Sequence, residues 1–266
     1  MNLCTLSTTL ILVLLTGATA PADTLTAGEQ TRQRYEWRAN TFKPSAQHQA
    51  ALAIDRDGGI VSVWSSRRQN GGRAGVYAQR FDAVGVARGN EVALGLWPEA
   101  HQTEPAVAID AQGHTWAVWQ AYGQDGSAGA IIARRFDGDF GGGSEIGVNQ
   151  QTQGHQAQPV ITAAPDGHVL IVWTSQTGPR EPIRLRGRIF TADGQPDGDE
   201  FAVTSAAGRS EMTPSSAASR DRGFAVVFSV FDEKMEPAGI RLQRLGAAGE
   251  RLGEELNVSG PPRKSQ

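Results

Sequence analysis

The chain repeats itself four times, with a period of about 55 residues. One position of every repeat is aromatic: Trp64, Trp119, Trp173 and Phe228. A second position is aromatic or aliphatic: Phe81, Phe136, Phe190 and Leu245. A third is a glutamate followed by a large apolar residue: Glu91, Glu145, Glu200 and Glu255. Because self-similarity at a fixed period of this length marks repeat architectures, the fold must be built from similar units that stack on one another.

Each repeat carries the pattern of four short β-strands, named a to d in chain order. In the third repeat, Val169–Trp173 is almost continuously apolar and β-branched, which is typical of a strand covered on both faces. Turn residues flank it, at Pro165–Gly167 before the strand and at Asp193–Gly194 further on. No helical period is present, so the sequence predicts four antiparallel strands joined by tight turns in every repeat.

The repeats also resemble a known family. Ser62–Trp64, Tyr77–Gly85 and Glu145–Asn149 carry a pattern of the form V-V-W, A-Q-R-F-D-A-x-G and G-x-E-F-x-V-N. This pattern is similar to a repeat of exported bacterial proteins, and the resemblance implies β-propeller blades. Four strands in each unit of this length is also the pattern expected of propellers.

We therefore expect an all-β, β-propeller-like fold with four repeats of four antiparallel strands. A four-bladed ring is favoured, half of a two-chain eight-bladed ring is the alternative, and an open stack ranks third because its edges would be exposed. Glu36–Asn40 resembles Glu145–Asn149 and predicts a stray strand d, which would fasten the ring or pair with a second chain as a homodimer. The expected divisions are a signal peptide at 1–22, an N-terminal segment at 23–44, one domain at 45–260 with repeats near 45–96, 97–150, 151–206 and 207–260, and a tail at 261–266.

The N-terminus predicts export. Leu10–Leu15 is a short apolar run, and Ala20–Ala22 fits a cleavage site for a signal peptide. The run is too short to cross a bilayer, so we expect a periplasmic or extracellular protein with no membrane span after cleavage. Cleavage would remove Cys4, the one cysteine, and with it any thiol chemistry. The net charge of -3 argues against nucleic acid as a partner.

The histidines follow the repeat. His101 and His155 occupy equivalent positions, each followed by a glutamine, Gln102 and Gln156. Since catalytic residues would be expected to break the repeat, these side chains are interpreted first as satisfying backbone groups at the start of strand a. The alternative is an axial ring of imidazoles that binds a metal or an anionic ligand. Ser210 interrupts that ring in the fourth repeat, so we predict no metal and no cofactor.

Binding residues are expected in the loops on the face that carries the d–a and b–c connections. The b–c loops differ from one repeat to the next, and variable loops on a rigid scaffold commonly carry binding function. They supply Arg67, Arg73, Tyr122 and Arg180. Trp97 lies in a d–a loop and has no repeat counterpart, so it is either a stacking residue for a ligand or a plug for the ring.

The sequence thus favours an exported, non-catalytic binding or scaffold module whose ligand is a glycan, an envelope component or a protein. One alternative is a carbohydrate-active hydrolase or lyase on the same scaffold, which would group arginines with carboxylates in a deep central pocket. The other is a structural protein that assembles with itself. No nucleophile-elbow, zinc-protease or phosphate-loop motif stands in a convincing context.

Overall fold

The computed structural model describes residues 38–205, 208–221 and 223–260. These residues form sixteen β-strands and no helix, so no helix among them is long and apolar enough to cross a membrane. The predicted signal peptide, the tail and the first two residues of the Glu36–Asn40 stretch lie outside the described part of the chain. Its last three residues are described, and they are not assigned to a strand.

The strands form four antiparallel four-stranded sheets, here called blades 1 to 4, and each blade takes four strands that are consecutive in the chain. Blade 1 consists of β1 (Gln47–Ile54), β2 (Ile60–Asn70), β3 (Arg73–Phe81) and β4 (Ala87–Ala93). Blade 2 consists of β5 (Gln102–Ile109), β6 (Thr115–Ala121), β7 (Ala130–Phe136) and β8 (Ile146–Gly147). Blade 3 consists of β9 (His155–Ala163), β10 (Val169–Gln176), β11 (Arg184–Phe190) and β12 (Phe201–Ala202). Blade 4 consists of β13 (Ser210–Ala218), β14 (Phe224–Phe231), β15 (Pro237–Leu245) and β16 (Leu256–Asn257). The predicted all-β fold and its four-by-four organisation are confirmed.

The blades pack face to face in chain order. Three apolar clusters fill the three interfaces, and the repeated aromatic residues of blades 2, 3 and 4 face the blade before them. Trp119 packs with Val61 and Val63 of blade 1, and Trp173 packs with Val118 of blade 2. The doubly covered strand b predicted from the sequence follows from this stacking, because β6 is buried at every position.

The innermost strands are the a strands, and they touch in the order β1, β5, β9 and β13. Within the described residues, no contact of similar extent joins β13 to β1. The four blades therefore form an arc around an axis. The way in which the ring closes, by four blades or with a second chain, stays a prediction.

Tight turns set the strand connections. At the a–b turn of blade 1, Oδ1 of Asp55 accepts hydrogen bonds from the backbone N–H groups of Asp57 (2.9 Å) and Gly59 (2.6 Å). Gly58 has a φ of 84°, a backbone conformation that favours glycine. The corresponding turn of blade 2 uses Asp110 in the same way, and its second oxygen lies 2.9 Å from Nδ1 of His114. These carboxylates therefore hold hairpins together.

Candidate functional site

A pocket of about 390 Å³ opens between blades 1 and 2, on the face that carries the d–a and b–c connections. Strand a of blade 1 contributes His48, and the end of strand b contributes Arg67 and Arg68. Blade 2 contributes Thr103 on strand a, with His101 just before that strand and Tyr122 just after strand b. Its volume lies in the usual range for small-molecule sites.

The pocket is cationic. Two guanidinium groups and two imidazoles line it, and no aspartate or glutamate is among its lining residues. Arg67 and Arg68 are exposed, and neither takes part in an ion pair found among residues 38–205, 208–221 and 223–260. Arg68 has a φ of 63°, which is uncommon for a residue with a side chain. The hairpin therefore contributes two exposed arginines, consecutive in the chain, to the lining of the pocket.

His101 and Tyr122 form the blade 2 side of the pocket. Nδ1 of His101 accepts a hydrogen bond of 3.3 Å from the backbone N–H of Ala74 in blade 1, which leaves Nε2 as the nitrogen that carries the proton in the neutral ring. Tyr122 is 43% exposed, and its ring centroid lies 5.8 Å from that of His155. The site thus combines charged donors with one accessible aromatic surface.

The structure brings three of the predicted site residues together in this pocket, namely Arg67, His101 and Tyr122. Arg73 and Arg180 are exposed and do not line it. Trp97 is half-buried against the core of blades 1 and 2, and its carbonyl accepts a hydrogen bond of 3.0 Å from Nε2 of Gln102.

The two predicted glutamines are buried and point at the loop backbone. Gln102 is 1% exposed and Gln156 is fully buried. Nε2 of Gln156 donates to the carbonyl of Gln153 (3.3 Å), while its Oε1 accepts from the indole of Trp173 (3.2 Å). The Nε2 atom of His155 lies 3.3 Å from the Nε2 atom of Gln120. In these contacts the glutamines satisfy backbone groups at the start of strand a.

A polar ladder along the axis was not foreseen in the sequence. It consists of one residue from each strand a, each with a positive φ at a β-bulge: Gln49, Glu104, Gln158 and Thr213. The side-chain oxygen of each of the first three accepts a hydrogen bond from the backbone N–H of the next, at 3.0, 2.8 and 3.2 Å in chain order. The ladder links all four blades. His48 and Thr103 occupy equivalent places, each one residue before the ladder residue of its blade.

No group of three or more histidine, cysteine, aspartate or glutamate side chains in the described ranges is arranged to hold a metal ion. A second, more open pocket of about 400 Å³ lies at the b–c loop of blade 4. Arg209 and Lys234 line it together with Asp232 and Glu233, so its charges are mixed. The pocket between blades 1 and 2 is therefore the better candidate for a charged ligand.

No protein-family model matches the sequence, and no curated protein matches it. Solved structures do match the fold. A protein of unknown function from Dyadobacter fermentans superposes with a TM-score of 0.61 at 8% identity, over 81% of this chain and 70% of that chain. An α-L-arabinanase from Penicillium chrysogenum, solved with arabinobiose, gives 0.57 at 10% identity, over 80% and 68%. A thermostable family-43 glycoside hydrolase gives 0.53 at 13% identity, over 81% and 78%. At these identities the likeness establishes the propeller-like fold.

Proposed function

We propose that this protein recognises a carbohydrate, and that its ligand is a saccharide carrying negative charge held in the pocket between blades 1 and 2. The observation that carries the proposal is the lining of that pocket: Arg67 and Arg68 stand beside an exposed Tyr122, with no acidic side chain among the lining residues. The similarity to propeller glycoside hydrolases supports a carbohydrate ligand over a purely structural role.

The chemistry of the pocket favours an acidic sugar. A guanidinium group forms two parallel hydrogen bonds with a carboxylate, and such charge-assisted bonds are about twice as strong as neutral ones. Imidazole N–H groups add donors for hydroxyl or carboxylate oxygens. The ring of Tyr122 offers an apolar surface with a polar tip, which suits the mixed faces of a sugar ring. A neutral sugar would leave both guanidinium charges unmatched.

Hydrolysis is the second candidate, and the structural comparisons favour it over a non-catalytic module. Most glycoside hydrolases need two carboxyl groups on either side of the scissile bond, about 5 to 9.5 Å apart. The pocket lining contains none. Glu104 follows the lining residue Thr103 in the chain, but its Oε2 accepts the N–H of Gln158 at 2.8 Å in the axial ladder. Recognition therefore ranks ahead of catalysis.

Recognition and hydrolysis can be distinguished by measuring both binding and turnover with one panel of oligosaccharides. We expect oligogalacturonides to bind more tightly than arabino-oligosaccharides of the same length. Arg67→Ala together with Arg68→Ala should weaken binding by about 10- to 100-fold, from the loss of two charge-assisted bonds. Arg180→Ala is the matched control, because Arg180 is exposed and lies outside the pocket.

The same samples are then assayed for released reducing ends. If the protein releases reducing ends and Glu104→Gln abolishes this activity, hydrolysis would be favoured over recognition without catalysis. Equal binding of neutral and acidic oligosaccharides, unchanged in the double variant, would contradict the proposed ligand class.

A further inference from the structure

The two histidines that hold the same repeat position, His101 and His155, have different surroundings. His101 is exposed and lines the pocket between blades 1 and 2, where its Nδ1 atom accepts the backbone N–H of Ala74. His155 is half-buried where blades 2 and 3 meet, and it is not among the residues that line the pocket. Any effect of His155 on a ligand in that pocket must therefore pass through a neighbouring side chain.

Gly129 leaves room for the imidazole of His155. It lies just before strand c of blade 2, and the equivalent residues are Ala74 in blade 1 and Ile183 in blade 3. Gly129 is buried, and a Cβ atom added to it would lie 2.9 Å from Nδ1 of His155 and 3.0 Å from Nε2 of Gln120. Since protein interiors are closely packed, a residue with a side chain at this position would displace the imidazole.

Gln120 fixes the orientation of this imidazole. Gln120 lies on strand b of blade 2 and is 1% exposed, and its Nε2 atom is the one 3.3 Å from Nε2 of His155. Because an amide nitrogen only donates, Nε2 of His155 is the acceptor, and the neutral ring carries its proton on Nδ1. The position of the ring is thus set by a buried hydrogen bond and by the space at Gly129.

The ring of Tyr122 lies against this fixed imidazole. The two ring centroids are 5.8 Å apart and the ring planes are tilted by 40°, which is within the range of favourable ring pairs. The backbone N–H of Tyr122 donates to the carbonyl of His101 at 2.9 Å. Tyr122 is therefore held at its backbone by one histidine and at its ring by the other, while its exposed part lines the pocket.

The loop that follows Tyr122 is also held in place. Oδ1 of Asp125 accepts the backbone N–H of Ser127 at 3.0 Å. The hydroxyl of Ser127 donates to the carbonyl of Gly154 at 2.8 Å. Because Gly154 directly precedes His155, these contacts tie the b–c loop of blade 2 to the start of blade 3. They keep Tyr122 and His155 in one relative position.

We propose that His155 is a positioning residue of the ligand site, and that it holds Tyr122 so that this ring binds the apolar face of a sugar. The inference rests on the proposed carbohydrate ligand. Arg67 and Arg68 recognise the charge of that ligand, whereas the C–H groups on the face of a sugar ring are present with or without a charge. A ring that is already fixed in the free protein loses little freedom on binding, which favours affinity.

Calorimetric titration with trigalacturonate and with its methyl ester tests this division of roles. His155→Ala should weaken the binding of both ligands by the same factor, about 3- to 10-fold, because both lose the contact with a fixed aromatic ring. The ratio of the two affinities should not change. The matched control is His168→Ala, since His168 is also half-buried in blade 3 but lies beside the a–b turn on the opposite face.

Further variants show whether His155 acts through Tyr122. His155→Phe keeps a ring against Tyr122 and should restore most of the lost affinity. Gly129→Ala keeps His155 but fills its space, so it should reproduce the loss. In a chain with Tyr122→Ala, His155→Ala should cause no further loss, because residues that act through one contact do not have additive effects. Thermal unfolding checks that each variant is folded.

Three results would overturn the proposal: unchanged affinities in His155→Ala, a loss confined to trigalacturonate, or additive losses when His155→Ala is combined with Tyr122→Ala. Failure of the proposed ligand class has a different signature, namely equal binding of the acid and the ester by the unaltered protein. The loss of ester binding in His155→Ala would then still report the contact with the sugar face.

Discussion

β6 and β14 hold the same place, strand b, in blades 2 and 4, but their surroundings differ. Every residue of β6 is buried, whereas burial alternates along β14, with Phe224, Val226, Phe228 and Val230 covered and the residues between them half-buried. The covered residues of β14 face blade 3. The comparison shows that each face of a central strand is covered by one neighbouring blade, so a blade with one neighbour leaves the other face of that strand half-buried.

The largest change in the free energy of unfolding should come from a substitution just after strand d. Val203 in blade 3 and Val258 in blade 4 donate the same backbone hydrogen bond to strand c, at 3.1 and 2.9 Å, but Val203 is fully buried and Val258 is 56% exposed. Val203→Asp should lower the free energy of unfolding by about 4 kcal/mol or more, because it buries a carboxyl group without a partner. Val258→Asp should change it by less than about 0.5 kcal/mol. Urea unfolding of both variants checks this, and equal losses would contradict the comparison.

A smaller difference is expected within strand b. Val172 is fully buried against blade 4, and Val227 is the half-buried counterpart in blade 4 itself. Val172→Ala should cost about 2 kcal/mol, from two lost methyl groups and the cavity that they leave. Val227→Ala should cost about 0.5 kcal/mol, since it removes less buried surface. Equal losses of thermal stability in the two variants would contradict the comparison and indicate that blade 4 is covered in solution.

The axial ladder offers a third comparison, between Gln158 inside the ladder and Thr213, its last residue. Gln158→Ala removes the acceptor for the N–H of Thr213 and should cost about 1 kcal/mol. Gln158→Glu keeps an acceptor and serves as its control. Thr213 is exposed and ends the ladder, so Thr213→Ala should cost about 0.5 kcal/mol or less. A loss in Thr213→Ala as large as that in Gln158→Ala would indicate that the ladder continues beyond blade 4.

The smallest expected effect is on the pKa of aspartates in exposed turns, which should not depend on how the blades stack. The Thr191 hydroxyl donates to Asp193, and the Ser219 hydroxyl donates to Asp221; each bond lowers the pKa of the carboxyl group. The stability that these carboxylates contribute is present above their unfolded pKa and is lost as pH falls through the lower folded value. Thr191→Val and Ser219→Ala should each raise the pKa of the neighbouring aspartate, as measured by NMR titration. An unchanged pKa of the aspartate in either variant would contradict the effect of that hydrogen bond.

The sequence predicted the fold well because the features that build it recur. The aromatic residue of strand b, the Asp-Gly turns and the strand-d glutamates each appear several times, so single irregularities did not obscure them. The structure adds what each glutamate does: Glu145 and Glu200 bind the backbone that follows the preceding blade. That contact joins residues about 50 positions apart, which no local pattern reveals.

The candidate site was predicted only in part. Arg67, His101 and Tyr122 were singled out as binding residues, and the structure groups them in one pocket. Arg68 belongs to the same predicted loop as Arg67, and it joins these residues in the lining of the pocket. Which loops meet depends on how neighbouring blades stack. Arg73 and Arg180 belong to the same class of loop but do not line that pocket.

The most direct test of the account is a calorimetric titration of the full chain with trigalacturonate and with its methyl ester. The two ligands share one sugar skeleton, and the ester lacks the negative charges. We predict that trigalacturonate binds at least about tenfold more tightly, that added salt reduces this difference, and that Arg67→Ala with Arg68→Ala abolishes it. Equal affinities for the acid and the ester would contradict the claim that the cationic pocket between blades 1 and 2 selects an acidic saccharide.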